Sequence, residues 1–102
     1  MEIINEKNFN EKIAKGVVLV DFFANWCGPC RMMTPILEDV QSEFADKISV
    51  YKIDVDEDEN LARSFGIMSI PTIMIFVDGQ LKEKHIGLWP QEALSEAIKQ
   101  LI

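Results

Sequence analysis

The sequence is poor in the residues that build disulfide scaffolds, metal sites and nucleic-acid surfaces. It has only two cysteines and one histidine among 102 residues, too few for a disulfide framework or for a four-ligand zinc site. Basic residues number 10 against 17 acidic ones, and the net charge of −7 argues against nucleic acid or an anionic membrane surface as a partner. No apolar run approaches the ~20 residues of a membrane span, and no basic-then-apolar segment opens the chain, so we expect neither membrane insertion nor secretion.

The chain does have the length and the apolar content for one packed domain. With 48% hydrophobic residues, we predict a single domain covering 1–102 that folds without covalent staples. Apolar patterning predicts strands at 2–4, 17–23, 48–53, 70–77 and 81–86. It predicts helices at 5–15, at about 28–45, just before Gly66 and from Pro90 onwards. This order predicts an α/β fold with a mixed sheet, partly parallel and partly antiparallel, flanked by helices on both faces.

Both cysteines lie in one short stretch, Trp26-Cys27-Gly28-Pro29-Cys30. The apolar strand before it and the amphipathic helix after it place the pair where a buried strand passes into a helix. Partial positive charge at the start of a helix favours a thiolate, which is the reactive form of cysteine. Two thiols this close can close and reopen a disulfide, whereas a bridge over so short a loop adds little stability. The stretch therefore predicts a redox site, with Cys27 as the nucleophile and the more exposed sulfur.

That stretch is accompanied by Asp21 in the preceding strand, Pro35 inside the following helix and Ile70-Pro71-Thr72 near a later strand. Together these features resemble the thioredoxin family over essentially the whole chain. The resemblance implies a thioredoxin fold and a protein-disulfide reductase that uses a reversible disulfide between its two cysteines and no bound cofactor. It implies oxidised proteins as substrates and, as electron source, a thioredoxin reductase that is an NADPH-dependent flavoprotein or is ferredoxin-dependent. We also expect a cytoplasmic monomer.

The resemblance implies further roles for individual residues. Cys30 is the resolving thiol, Asp21 is a buried carboxyl that assists proton transfer at Cys30, and Lys52 is the amine beside that carboxyl. Burial by itself raises the pKa of a carboxyl towards neutrality, which suits this role. The alternatives are a tolerated aspartate at a partly solvated strand end and an ordinary solvated lysine. The resemblance also implies a cis peptide bond before Pro71, facing the cysteines; a trans proline that opens a strand is the alternative.

A docking surface for disulfide-bearing proteins is expected around Cys27. Its expected members are Trp26, Gly28, Pro29, Met68, Ser69, Ile70, Gly87 and Leu88. The backbone of Ile70 is expected to pair with an extended substrate segment. An apolar and weakly specific surface suits a protein that must bind many partners and release them quickly. Under the alternative, Met68 and Leu88 are ordinary surface or core residues.

Two stretches depart from the family pattern. Phe23 stands where the family often has a second tryptophan, which leaves the packing beside the cysteines open. Leu88-Trp89-Pro90 replaces the usual small residue and the usual Ser or Thr cap of the last helix. We expect Leu88 to enlarge the apolar docking surface and to change partner preference. His85, on the predicted edge strand, is expected to be solvated.

Two further groups of residues are expected to be structural. The acidic run Asp54, Asp56 and Asp58 lacks the glycine and glutamate that a calcium loop needs, so it is expected to solvate a loop and favour the next helix. Met32 and Met33 are expected to pack in the core rather than to bind a metal.

Three other functions remain open from the sequence. The same cysteine pair serves oxidases and isomerases, but Gly28-Pro29 between the cysteines favours a reductant, because these two residues track the redox potential in related families. A glutaredoxin-like function is less favoured, since the usual Pro-aromatic pair is absent. The third possibility is a non-catalytic adaptor, which would support its partner enzyme even with both cysteines changed to serine.

Overall fold

A computed structural model describes all 102 residues. The strands are β1 (Glu2–Ile3), β2 (Val17–Phe23), β3 (Ile48–Asp54), β4 (Thr72–Val77) and β5 (Gln80–Ile86). The helices are α1 (Phe9–Ile13), α2 (Gly28–Phe44), α3 (Glu59–Ser64) and α4 (Gln91–Lys99), with a 3₁₀ turn at Ala45–Lys47. Every predicted strand and helix is present and in the predicted order. None of the helices is both long and apolar enough to cross a bilayer.

The five strands form one mixed sheet in the order β1-β3-β2-β4-β5. Strands β1, β3 and β2 run parallel, whereas β4 and β5 are antiparallel to their neighbours. Strand β2 lies at the centre, and all of its residues are buried, because its side chains are apolar on both faces apart from Asp21. The register places Asp21 between Lys52 of β3 and Ile73 of β4. The predicted mixed α/β fold is confirmed.

Helices cover both faces of this sheet. Alternation along β2 sends Leu19 into a core beneath α2 and α4, and Val20 into a second core beneath α1 and α3. Within α2, Met33 and Leu37 are fully buried at the i, i+4 spacing of one helix face. Met32, the residue before Met33, lies about 100° from it around the helix axis and is 61% exposed. The prediction that Met32 packs in the core is therefore wrong.

Helix α1 and strand β4 begin later than predicted, each for a local reason. The Asn5 side-chain oxygen accepts the backbone N–H of Lys7 at 2.9 Å, and this turn competes with helix formation, so α1 does not begin at residue 5. Strand β4 begins at Thr72 because Pro71 has no N–H to give to the sheet.

The acidic run links loops instead of only solvating one. Asp54 is buried, and its Oδ1 accepts the backbone N–H of Asp56 at 2.9 Å. Asp58 accepts the backbone N–H of Glu6 at 2.7 Å, which ties the loop before α3 to the loop before α1. The prediction that the run solvates a loop is therefore wrong for Asp54, which is buried. Asp58 is partly exposed and directly precedes α3, as predicted, and it also accepts a backbone donor.

Candidate active site

The two cysteines occupy the first turn of α2 and are joined by a disulfide with a Cα–Cα distance of 5.3 Å. Cys27 is the N-cap residue, with extended backbone, and Gly28 and Pro29 begin the helix. Proline fits there because the first helical positions have no partner for an N–H. The backbone N–H of Cys30 donates to Cys27 Sγ at 3.2 Å. A donor and the helix terminus thus meet at the Cys27 sulfur, which favours the thiolate on reduction.

Both cysteines are buried in this oxidised state. Cys27 is 4% exposed and Cys30 is 2% exposed, so Cys27 is more exposed than Cys30, as predicted, but only slightly. Phe23 packs against the pair and is itself buried. The phenyl ring therefore fills the space beside the disulfide at the position where the family often has tryptophan.

Two further chain segments meet this turn. The carbonyl oxygen of Ile70 lies 3.8 Å from Cys27 Sγ, and the Ile70–Pro71 peptide bond is cis, as the resemblance implies. The backbone N–H of Gly87 donates to the Pro71 carbonyl at 2.7 Å. The segment before β4 and the segment after β5 are thereby held together beside the first turn of α2.

Large apolar side chains from all three segments reach the surface there. Trp26 is 68% exposed, Met68 is 95% exposed and Leu88 is 37% exposed. The Trp26 indole Nε1–H donates to Asp56 Oδ2 at 2.8 Å. Asp56 was not predicted from the sequence to be a site residue. Nothing in the sequence pairs these two residues, because the contact arises only when the loop after β3 lies beside the loop after β2.

Asp21 is completely buried, so the alternative of a solvated strand end is wrong. No group donates a hydrogen bond to either of its carboxyl oxygens. Burial raises the pKa of Asp21 to about 7, although the Lys52 ammonium group lowers it. The carboxyl therefore gains and loses its proton near neutrality, as a proton-transfer group requires.

Lys52 is half-buried, so it is not an ordinary solvated lysine. Its ammonium group donates to Thr34 Oγ1 at 3.3 Å and lies 4.3 Å from the centre of the Phe23 ring. It forms no ion pair with Asp21 within 4.0 Å. A cavity of about 100 Å³ is lined by both Lys52 and Cys30, and it has room for water. The cavity is lined by Phe23, Ala24, Asn25, Cys30, Arg31, Thr34 and Lys52.

The segment after β5 is anchored to the core. His85, on the edge strand, is partly exposed, and its ring also makes contacts that the sequence did not predict. The His85 ring stacks on Trp89 with centres 4.6 Å apart, and its Nε2 lies at hydrogen-bond distance, 3.0 Å, from the Leu88 carbonyl. Trp89 is buried, and its backbone N–H donates to the Met33 sulfur at 3.4 Å. Pro90 is the N-cap of α4 and, as predicted, no side chain caps that helix. Leu88 is left at the surface beside the active site.

A reversible disulfide across the first turn of a helix, beside an exposed apolar surface, defines a thiol–disulfide oxidoreductase. Comparison with known proteins agrees with this class. A family model for thioredoxin matches residues 1–100. The thioredoxin of Bacillus subtilis (strain 168) is 45% identical over 93 residues, covering 91% of this chain and 89% of its own. That of Listeria monocytogenes serovar 1/2a is 44% identical over 99 residues, covering 97% and 96%.

Among solved structures, a mutant thioredoxin from Halobacterium salinarum superimposes with a TM-score of 0.90 at 34% identity, covering 99% of this chain and 88% of that one. The chain belongs to the thioredoxin family. It is a protein-disulfide oxidoreductase that works by dithiol–disulfide exchange, and its redox group is the Cys27–Cys30 disulfide rather than a bound cofactor. Members of the family work with a thioredoxin reductase and with proteins that carry disulfides.

Proposed function

We propose that the protein reduces disulfides in other proteins with Cys27 as the attacking thiolate and Cys30 as the resolving thiol. The observation that supports this assignment most directly is the Cys30 N–H that donates to Cys27 Sγ at the start of α2. The Cys27 thiolate attacks one sulfur of the substrate disulfide, forms a mixed disulfide and releases the other substrate sulfur as a thiol. Cys30 then attacks Cys27 Sγ, which closes the internal disulfide and releases the second substrate thiol. Two electrons and two protons pass to the substrate.

In this scheme Asp21 and Lys52 assist the transfer of the proton from the Cys30 thiol. Cys30 must lose its proton before it attacks, and a carboxyl with a pKa of about 7 can accept it at neutral pH. The cavity touches Cys30 and Lys52, and Lys52 is the register partner of Asp21 on the neighbouring strand. We infer that water in this cavity takes the proton from the thiol towards the carboxyl, which does not itself line the cavity, with the ammonium group of Lys52 favouring the ionised carboxylate.

Partners dock on the surface around Cys27 formed by Trp26, Gly28, Pro29, Met68, Ser69, Ile70, Gly87 and Leu88. Cys27 itself is nearly inaccessible, so a partner must approach closely and present its disulfide along this surface. The carbonyl of Ile70, 3.8 Å from Cys27 Sγ and directly before Pro71, is expected to accept an N–H from an extended substrate segment. Leu88 adds apolar area and shifts the preference among partners.

Asp56→Ala is expected to raise KM for a protein disulfide about threefold, with kcat little changed. The substitution removes the acceptor of the Trp26 indole, so a docking side chain must be ordered when the partner binds. Steady-state reduction of insulin measures both constants. Asp46→Ala, on the exposed 3₁₀ turn, is the matched control and should leave KM unchanged. A fall in kcat with constant KM would contradict this role for Asp56.

We further propose that 1–102 acts as a single domain and a monomer in the cytoplasm, where thiols are kept reduced. The electron donor is a thioredoxin reductase, either a flavoprotein that draws on NADPH or a ferredoxin-dependent enzyme. The acidic net charge of −7 fits protein partners rather than nucleic acid or an anionic membrane.

Turnover with the two kinds of reductase tests the proposed function. With insulin as substrate, we expect continuous NADPH oxidation in the presence of a flavoprotein reductase, or electron flow from a ferredoxin-dependent one. The variant with both Cys27→Ser and Cys30→Ser should abolish it, because no exchangeable disulfide remains. If neither reductase supports turnover while the double variant still activates a partner enzyme, the protein is an adaptor. A redox potential near that of the disulfide isomerases, about 90 mV above that of thioredoxin, would instead indicate an oxidase or isomerase.

A further inference from the structure

Met68 is the most exposed large apolar side chain of the protein, at 95%. It belongs to neither core cluster beside the sheet, and it lies two residues before Ile70, whose carbonyl touches Cys27 Sγ. We propose that Met68 is a site of reversible oxidation by peroxides, and that its sulfoxide weakens the binding of disulfide-bearing proteins at the surface around Cys27. The second half of this proposal rests on the docking surface proposed above.

The five methionines differ sharply in access to a small oxidant. Met33 and Met74 are 0% and 1% exposed, whereas Met68 is 95% exposed. Met32 and Met1 are intermediate, at 61% and 37%. Oxidation of a thioether needs direct contact between the sulfur and the oxidant, so the order of exposure predicts the order of reaction.

The chemistry requires only a peroxide. The Met68 sulfur attacks one oxygen of the peroxide, the O–O bond breaks and a sulfur–oxygen bond forms. The sulfur loses two electrons, and the peroxide is reduced to water or, for an organic peroxide, to an alcohol. In the oxidised protein the two cysteines are paired and offer no thiolate, so the reaction at the thioether can be followed separately from cysteine oxidation.

The sulfoxide changes what a partner meets at this surface. A thioether is apolar and flexible, and it suits an adaptable docking surface. A sulfoxide carries a strong dipole, and burying it under an apolar partner without a hydrogen bond is unfavourable. The exchange steps at Cys27 and Cys30 are unaffected, because neither sulfur gains or loses a contact. The effect should therefore appear in KM rather than in kcat.

Peptide mapping of the disulfide form during titration with hydrogen peroxide tests the site. We expect Met68 to gain one oxygen first, Met32 and Met1 to follow, and Met33 and Met74 to stay unmodified in the folded protein. Oxidation of Met68 no faster than that of the buried pair would overturn the proposed site. This measurement needs no reductase and no substrate, so it judges the site independently of the proposed function.

Steady-state insulin reduction before and after peroxide treatment tests the consequence. We expect KM to rise about threefold or more in the wild type, the size of effect that an unpaired polar group brings to an apolar contact. Met68→Leu, which is apolar and cannot be oxidised, should show no further change on treatment. Met68→Gln, which imitates the polarity of the sulfoxide, should raise KM without peroxide. Repair of the treated wild type by the two methionine sulfoxide reductases, one for each sulfoxide epimer, with a chemical reductant should restore KM.

Two outcomes would overturn the link between oxidation and docking. One is an unchanged KM in wild-type protein whose Met68 is fully converted to sulfoxide. The other is an equal rise of KM in treated Met68→Leu, which would assign the effect to another residue. In both cases the untreated protein still reduces insulin, so the proposed function stands. Failure of the untreated wild type to reduce insulin would instead count against the proposed function and the docking step together.

Discussion

Asp21→Asn is expected to raise the free energy of unfolding of the oxidised protein by about 4 kcal/mol at pH 8 and to change it little near pH 3. Asp21 has a pKa of about 7 in the folded protein, against 3.8 for the free side chain. Between these values the folded state holds a proton that the unfolded state has lost, so the stability of the wild type falls as pH rises. The slope is about 1.4 kcal/mol per pH unit, and the loss is complete once pH exceeds the folded pKa. The amide of asparagine never ionises and escapes this penalty.

Urea denaturation of the disulfide form across this pH range measures the effect. The wild-type stability should fall between about pH 4 and 7, and the variant should lack that fall. Lys52→Met provides the matched control, because the Lys52 ammonium lowers the pKa of Asp21. Without that charge the folded pKa rises, so the fall in stability should extend to higher pH. A difference between Asp21→Asn and wild type that is the same at every pH would show that ionisation of Asp21 is not its cause.

Cys30→Ser is expected to accumulate mixed disulfides with substrate proteins, and Cys27→Ser is expected to form none. In the first variant Cys27 keeps its place at the start of α2 and attacks normally, but no second thiol can release the partner. In the second variant the remaining sulfur lies one turn inside the helix, and it has neither the N-cap position nor the Cys30 N–H donor that favours a thiolate at residue 27. Both variants should lose turnover by at least about a thousandfold, because each lacks one half of the exchange.

Non-reducing electrophoresis and mass spectrometry of the trapped complexes, with insulin as substrate, distinguish the two variants. The variant with both cysteines changed to serine is the control for non-specific adducts. Equal trapping by the two single variants would mean that either sulfur can act as the nucleophile, which contradicts the assignment of Cys27. Trapping by Cys27→Ser alone would reverse the roles.

Much of the fold was predictable because it depends on local pattern. The run from Val17 to Phe23 is apolar on both faces, which only a central strand can satisfy, and it is the centre of the sheet. Asp78-Gly79 predicted the hairpin that joins β4 and β5, and both residues have positive φ there. The ends of elements were less predictable, because the Asn5 side chain and Pro71 alter hydrogen bonding within one turn.

The parts of the site that residues close in sequence form were predictable. The parts that form where distant segments of the chain meet were less so. The position of the cysteine pair at the start of α2 follows from the strand before it and the helix after it. Contacts between separate loops did not follow in the same way. Trp26 and Asp56 are 30 residues apart, and the carboxylate was assigned to solvating a loop and favouring the next helix. His85 was expected in solvent and is partly exposed, but its ring also stacks on Trp89, which is buried in the core with residues of α2 and α4.

The sequence by itself determined the mixed α/β architecture and the redox pair, because periodicity and a short cysteine spacing act through bonds that the chain makes with its near neighbours. Only the tertiary structure decided that Asp21 is fully buried without a hydrogen-bond donor, which of two adjacent methionines is exposed, and what lies beside Cys27 Sγ. These are questions of three-dimensional distance. The separation of two residues along the chain does not give that distance, because it also depends on which strands and loops the sheet order makes neighbours.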